Sequence, residues 1–287
     1  MIGPYDRLSG AADVTDFRWP EGYASAVTFS FDVDASAEEM LYHGNISGAY
    51  SAGDYGPKAG VPRILDLLDQ SGVKAAFHVP GWVAERFPER IREIHSRGHE
   101  IAGHGYLHEN ISTLSPDQER EVLQKSHHIL GDLIGHAPRG FRTPGGPLTP
   151  RTVGILLELG YDYDSSSNAD YFPCKVEIEG RPVEMAELPF SWILDDFPFF
   201  WGGADRDYFL PISRPKDARD YWIAEFDAIH KMGGLCTYLN HPRCIGRPSR
   251  IRVLGEFIEH VRKTPGVWLT TQRDVADWVL GAYQKRD

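Results

Sequence analysis

The stretch Ala26-Val27-Thr28-Phe29-Ser30-Phe31-Asp32-Val33-Asp34 carries a mostly apolar run directly into two carboxylates. A short apolar run of this kind predicts a strand buried within a sheet. Similar runs alternate along the chain with longer segments of helical periodicity, which is typical of βα units and a mainly parallel sheet. The predicted strands cover residues 24–32, 74–79, 99–103, 139–142, 162–166, 185–190, 235–240 and 266–270. The predicted helices cover about 59–72, 82–97, 116–135, 150–160, 216–233, 249–264 and 272–284.

These elements predict an α/β fold in which seven or eight mainly parallel strands close into a barrel rather than an open sheet. A barrel of this length is commonly one domain. We therefore expect a single domain over 1–287, with its core at about 24–270 and an N-terminal extension at 1–23. Ser115-Pro116-Asp117-Gln118 predicts a helix start, because the serine can cap the helix and the glutamine can complete a capping box.

The composition argues against several functional classes. The formal net charge is −11 and the chain has no run of lysines or arginines, so a nucleic-acid partner is not expected. Three cysteines without a C-x-x-C pair indicate reduced thiols rather than a disulfide framework. We find neither a secretory signal nor a stretch that could span a membrane, and so expect a cytoplasmic location without a membrane partner.

Two pairs of side chains suggest a metal centre. Asp32 and Asp34 are two residues apart and lie on one face if the strand stays extended, although both could instead be solvated in a turn. His104 and His108 have i, i+4 spacing in a glycine-containing loop, a spacing that also arises by chance. One carboxylate and two imidazoles leave a coordination position open for water, as in catalytic zinc sites. The pattern suggests a metal-dependent hydrolase.

Two further polar residues end predicted strands at the same edge. Arg142 could hold a carboxylate bidentately and keep it ionised, although a turn arginine is more often a surface residue. His241 follows the strand at 235–240 and could act as a general acid, or could be a capped core histidine.

Long loops at the functional end of a barrel usually carry substrate contacts. The segments that do not fit the alternation of strands and helices are 36–58, 166–184 and 191–215, and the last is rich in aromatic residues. The residues that we expect to contact substrate are Tyr171, Trp192 and Asp195 in these segments, and Pro144 in the turn after Arg142.

Taken in order, the Asp pair, the H-x-x-x-H loop, the Arg-x-Pro turn and the late Leu-x-His strand resemble the polysaccharide deacetylase (NodB-homology) family. The resemblance covers about residues 24–270. It implies a distorted (β/α) barrel, a divalent cation that is most simply zinc, and hydrolysis of an amide carbon–nitrogen bond. By position, the matches are Asp34, His104 and His108 to the metal ligands, Asp32 to the base, Arg142 to its partner, His241 to the acid and Asp170 to the residue that orients this acid.

The first motif departs from the usual family pattern, because Val33 separates the two aspartates and Ala35 follows them. This D-x-D form, with His-Glu-Asn at 108–110, is similar to a subgroup of cytoplasmic peptidoglycan-deacetylase-like proteins, cyclic imide hydrolases and allantoinases. The subgroup resemblance implies a homotetramer, and a substrate that is either an N-acetyl-sugar or a small amide or imide.

Three functions therefore stay open. The first is an N-deacetylase of N-acetylhexosamine polymers, which needs an open groove. The second is a hydrolase of a small cyclic imide or ureide, which the long loops favour because they could close a pocket. The third is a non-catalytic carbohydrate-binding barrel that uses its tryptophans and phenylalanines for stacking, which the retained ligand and base residues disfavour.

Overall fold

The computed structural model describes residues 17–45, 51–145, 148–201 and 212–284. The strands are β1 Ser25–Asp32, β2 Ala76–Val79, β3 Glu100–Gly103, β4 Gly140–Phe141, β5 Tyr163–Asp164, β6 Cys174–Ile178, β7 Arg181–Glu187, β8 Leu235–Asn240 and β9 Val267–Thr270. The helices are α1 Ala37–His43, α2 Val61–Ser71, α3 Gly81–Arg86, α4 Pro88–Ser96, α5 Pro116–Ile134, α6 Pro150–Glu158, α7 Phe197–Phe200, α8 Pro215–Met232, α9 Pro242–Ile245, α10 Pro248–Lys263 and α11 Gln272–Gln284.

The strands form one sheet in the order β6-β7-β5-β4-β3-β2-β1-β8, and β9 also pairs with β1. Every pairing is parallel except that of β6 with β7, which is antiparallel. An isolated parallel bridge between Asp195 and Leu239 joins the segment after β7 to β8, near the other end of the sheet. The predicted α/β fold is confirmed, and its closure through one bridge is consistent with a distorted (β/α) barrel.

Strand β1 is the centre of this arrangement, because all eight of its residues are buried. Its edges pair with β8 on one side and with β2 and β9 on the other, at opposite ends of the strand. The Phe31 ring stacks on Phe77 of β2 at 5.0 Å between centroids. The Phe29 ring packs against Tyr238 of β8 at 5.4 Å. The apolar run that predicted this strand is therefore buried because neighbouring strands and helices cover it from all sides.

Three local features differ from the sequence-based expectation. The predicted helix 82–97 is two helices, because Pro88 lacks the amide that would continue α3 and instead begins α4. The region 166–184, expected as a loop, contains β6, which turns through Glu179 and Gly180 at positive φ into β7. The other two predicted loops contain the short helices α1 and α7, and their residues 46–50 and 202–211 lie outside the described part.

Among the described residues, no helix is both long enough and apolar enough to cross a bilayer.

Two glycines allow a test of the packing with the same substitution. A Cβ added at Gly140 in β4 would overlap the buried ring of Tyr163, whereas one at Gly154 within α6 would meet open space. We expect Gly140→Ala to lower the free energy of unfolding by about 1–3 kcal/mol through overpacking. We expect Gly154→Ala to raise it by about 0.5–1 kcal/mol, since alanine is the better helix former. Denaturant unfolding measures both, and effects of equal sign would contradict this packing.

Candidate active site

Several side chains that the sequence singled out meet at the carboxyl ends of the parallel strands. Asp32 ends β1, His104 follows β3, Arg142 follows β4 and His241 follows β8. With Asp34 and His108, these residues line one cleft of about 720 Å³. The convergence follows from the topology, because parallel strands place their carboxyl ends at the same edge of the sheet.

Asp34, His104 and His108 have the geometry of a cation site. Their ligand atoms lie within 4.8 Å of one another. Asp34 Oδ1 is 3.5 Å from His104 Nε2 and 3.9 Å from His108 Nε2. Two ligands about 2.1 Å from a tetrahedral ion are about 3.4 Å apart, so these separations suit a shared cation. They are too long for hydrogen bonds.

The hydrogen bonding around this trio also fits a cation. Asp34 Oδ1 is buried and has no hydrogen-bond partner among the described residues. A buried carboxylate oxygen without a donor is costly unless a cation satisfies it. His104 Nδ1 lies 2.8 Å from the carbonyl oxygen of Arg142 and donates to it. This bond fixes the tautomer that leaves the Nε2 lone pair directed at the trio, which is the usual second contact of a metal-ligating histidine.

The backbone at two of these positions is strained. His108 has φ of 63° and Ala35, directly after Asp34, has φ of 50°. Residues other than glycine rarely adopt this left-handed region, and such strain persists only where surrounding contacts hold it. The Glu109 carboxylate accepts hydrogen bonds from the amides of Tyr106 at 3.0 Å and Leu107 at 2.8 Å, and so holds the His108 loop. No local sequence pattern indicates this role of Glu109.

Arg142 is not a surface residue, because it is buried and its guanidinium contacts Asp32. Its Nη1 lies 2.7 Å from Asp32 Oδ1, while its Nε donates to the carbonyl of Ser165 at 2.7 Å. Burial alone would raise the pKa of Asp32, but the charge of the Arg142 guanidinium brings this pKa below its ordinary value. Asp32 is therefore ionised at neutral pH, the state in which a carboxylate can accept a proton.

A second layer of polar side chains supports Arg142. Its Nη2 donates to Ser165 Oγ at 2.8 Å, and Gln272 Nε2 donates to the same oxygen at 3.1 Å. The Gln272 side-chain oxygen in turn lies 2.8 Å from His78 Nε2. His78 and Gln272 carried no signal in the sequence, because the contact joins β2 to the start of α11, 194 residues away.

His241 is held by two acids. Its Nδ1 lies 2.8 Å from Asp196 Oδ1 and 3.4 Å from Asp195 Oδ1, and its Nε2 lies 3.7 Å from Asp34 Oδ2. Burial would lower the pKa of His241, but the two neighbouring carboxylates outweigh it and raise this pKa well above its ordinary value. The ring is therefore an imidazolium whose Nε2 proton faces the cleft, a suitable general acid.

The structure corrects the assignment of Asp170 as the acid that orients His241. Asp170 is exposed, and its carboxylate accepts a hydrogen bond from the amide of Tyr171. Asp196 takes the position instead, because the bridge between Asp195 and Leu239 brings its segment alongside β8. No local pattern could have distinguished Asp196, since the contact depends on a chain return over 45 residues.

Of the four residues expected to contact substrate, three line the cleft and one does not. Pro144, Trp192 and Asp195 line the cleft, and Trp192 is 54% exposed. Asp195 is buried, accepts from the amide of Phe197 at 2.8 Å and lies beside His241, so its position is that of an orienting acid. Tyr171 is not among the residues that line the cleft, because its hydroxyl donates to Glu225 of α8.

Comparison with known proteins is consistent with this geometry. A family model described as polysaccharide deacetylase matches residues 49–163. The Helicobacter pylori peptidoglycan deacetylase is 29% identical over 88% of this chain and 94% of its own. The crystal structure of a candidate polysaccharide deacetylase from Mycobacterium smegmatis superposes with a TM-score of 0.88 at 36% identity, over 93% of this chain and 94% of that chain. The PuuE allantoinase structure gives a TM-score of 0.78 at 25% identity, over 96% and 92%.

The role of Glu109 is testable through zinc affinity. We expect Glu109→Gln to weaken zinc binding about 10- to 100-fold, because loss of an outer contact that orients a ligand typically costs this much. Glu85→Gln is the matched control, since Glu85 contacts the same loop through the Tyr106 hydroxyl, at 2.7 Å, and not through a backbone amide of the described residues. Competition with a chromogenic chelator gives both dissociation constants. Equal affinities for the two variants would rule out this role.

Proposed function

The chain belongs to the polysaccharide deacetylase family, and from this premise we propose that it is a divalent-metal-dependent hydrolase that removes acetyl groups from N-acetyl-sugars. The observation that carries the proposal is the convergence of three kinds of group on one point. A cation-ligand trio, an ionised carboxylate at Asp32 and an imidazolium at His241 face the same cleft. Together these groups can promote amide hydrolysis, in which water adds to a carbonyl and a poor leaving group is expelled.

Asp34, His104 and His108 are the residues that would hold the cation. When bound, a zinc-type ion polarises an amide carbonyl and makes an adjacent water more acidic. The ligand set of one carboxylate and two imidazoles leaves room for such a water and for substrate. Zinc is the expected ion, although this donor set also suits cobalt, manganese and nickel.

The protein's own residues handle the protons. Asp32, kept ionised by Arg142, accepts a proton from the water that attacks the amide carbon. His241 donates its Nε2 proton to the nitrogen as the carbon–nitrogen bond breaks, and Asp196 steadies the ring through Nδ1. The products are acetate and a free amine. Each proton-transfer partner typically contributes a factor of about 100 to 10,000 in rate.

The shape of the cleft favours a sugar over a small ring. Its volume of about 720 Å³ exceeds the needs of a five-membered imide or ureide. Two exposed aromatic residues line it, Tyr42 at 66% and Trp192 at 54%, and flat rings of this kind suit the apolar faces of sugars. These features support N-acetyl-sugars over the closed pocket expected from the loop lengths.

Hydrolysis of a cyclic ureide is the second candidate. It is supported by the likeness to the PuuE allantoinase, which extends over 96% of this chain, and by the D-x-D motif. The third candidate, a non-catalytic carbohydrate-binding barrel, has less support, because Asp32, Arg142 and His241 keep catalytic geometry. The cytoplasmic location, the homotetramer and the single domain over 1–287 stay predictions.

An assay on defined substrates tests the proposal. With zinc supplied, we expect acetate release from N-acetylglucosamine oligomers at least tenfold faster than hydrolysis of allantoin, hydantoin or succinimide. We expect Asp32→Asn to retain zinc and lose about 100- to 10,000-fold in turnover. Preferential hydrolysis of a cyclic substrate would select the second candidate. Turnover near wild type in Asp32→Asn would remove the assigned base.

The pairing of His241 with Asp196 predicts a change in the pH profile. The carboxylate of Asp196 helps to raise the pKa of His241, so Asp196→Asn should lower this pKa. The acid form would then be lost at lower pH, and the alkaline limb of kcat/KM should move downward by about one pH unit or more. Asp170→Asn is the control, and it should leave the limb in place. An alkaline limb that moves in Asp170→Asn and not in Asp196→Asn would show that Asp170, and not Asp196, orients His241.

A further inference from the structure

Arg243 is a buried arginine beside the cleft, and neither the motifs nor the mechanism above assigns it a role. It lies two residues after His241, on the short helix α9, and is 4% exposed. Its Nη1 donates to the carbonyl oxygen of Ala35 at 3.1 Å and to Glu39 Oε1 at 3.1 Å. Its Nη2 lies 3.7 Å from Glu38 Oε2. The guanidinium thus contacts both the turn after Asp34 and the helix α1 that follows it.

The Ala35 carbonyl belongs to the strained turn that presents Asp34. Ala35 has φ of 50°, and the turn closes through a hydrogen bond from the amide of Ala37 to the carbonyl of Asp34 at 3.0 Å. Such a conformation needs support from its surroundings. The bond from Arg243 is support of this kind, because it fixes the carbonyl of the strained residue itself.

The other side of Arg243 faces the segment that orients the general acid. Its guanidinium lies 4.2 Å from the ring centroid of Trp201, and the Trp201 ring stacks on Phe197 at 5.3 Å. The Phe197 ring lies 5.1 Å from the imidazole of His241. The amide of Phe197 also donates to Asp195, one of the two acids beside His241. The Arg243 guanidinium therefore contacts the turn after Asp34 and, through Trp201 and Phe197, the segment beside His241.

We propose that Arg243 is a positioning residue that holds the Asp34 turn in register with His241 and thereby sets both metal affinity and the placement of the acid. The proposal rests on the proposed function, since it concerns the same cation and the same acid. A lysine would keep the charge, but its ammonium cannot reproduce the planar fork and the stacking on Trp201. Arg243→Lys therefore keeps the positive charge while removing the planar guanidinium that makes these contacts.

Arg250 offers a matched control. Its Nη1 donates to the carbonyl of Cys244 in α9 at 3.1 Å, and its guanidinium lies 4.5 Å from the Phe200 ring centroid. It thus makes the same two kinds of contact to the same region of the chain. Neither of these two contacts involves the Asp34 turn, so Arg250→Lys reports any general loss of stability around α9 and α7.

The experiment measures zinc dissociation constants by chelator competition, together with kcat and KM, at a temperature where circular dichroism shows each variant folded. We expect Arg243→Lys to weaken zinc binding at least tenfold and to lower kcat at least tenfold, with KM changed less than threefold. Arg250→Lys should stay within twofold of wild type in all three quantities. Equal zinc affinity and kcat for the two variants would overturn the proposal.

A second variant keeps the proposal testable if Arg243→Lys does not fold. Glu39→Gln leaves Arg243 and its bond to Ala35 in place but removes the nearer of the two carboxylates beside the guanidinium, and we expect zinc binding about three- to tenfold weaker. Wild-type affinity in Glu39→Gln would then overturn the proposal. Failure of the proposed function is distinct from either outcome, because in that case the wild-type protein itself would bind no zinc or release no acetate.

Discussion

The arrangement of the site depends on how two buried carboxylates at the end of β1 are compensated. Asp32 and Asp34 are only 4% and 3% exposed, and an ionised carboxylate at such depth is costly unless a cation or several donors meet it. Arg142 compensates Asp32 through a 2.7 Å hydrogen bond. Asp34 instead faces imidazole nitrogens at 3.5–3.9 Å, distances that suit a shared ion. This difference is the basis on which we propose Asp32 as the base and Asp34 as a metal ligand.

The scaffold around the two carboxylates is a consequence of parallel pairing. Because β1 pairs in parallel with β2, β8 and β9, the loops after neighbouring strands open on the same edge of the sheet. The backbone must still be bent locally to aim the ligands, and Ala35 and His108 adopt left-handed conformations to do so. Glu109 holds one of these bends and Arg243 the other. The cost of the strained backbone is thus offset by side chains that do not themselves belong to the ligand trio.

The sequence was sufficient where a local pattern determines the structure. The apolar run of β1, the capping box at Ser115 and the glycine-flanked H-x-x-x-H loop each correspond to a feature of the structure. Prediction failed where a contact depends on the return of a distant segment. The assignment of Asp170 as the acid beside His241 is wrong, because the bridge between Asp195 and Leu239 that brings Asp196 there has no local signature. Tyr171 is not among the residues that line the cleft, since its hydroxyl donates to Glu225. Strand β6 was missed because only Val176 within it is buried, so its apolar pattern is weak.

Anomalous diffraction at the zinc absorption edge, from crystals grown with zinc, tests directly whether Asp34, His104 and His108 share one ion. We predict one strong peak about 2.0–2.2 Å from a carboxylate oxygen of Asp34 and from Nε2 of both His104 and His108. A peak elsewhere, or an Asp34 carboxylate that is instead satisfied by a protein donor with no ion beside it, would show that the trio is not a metal site.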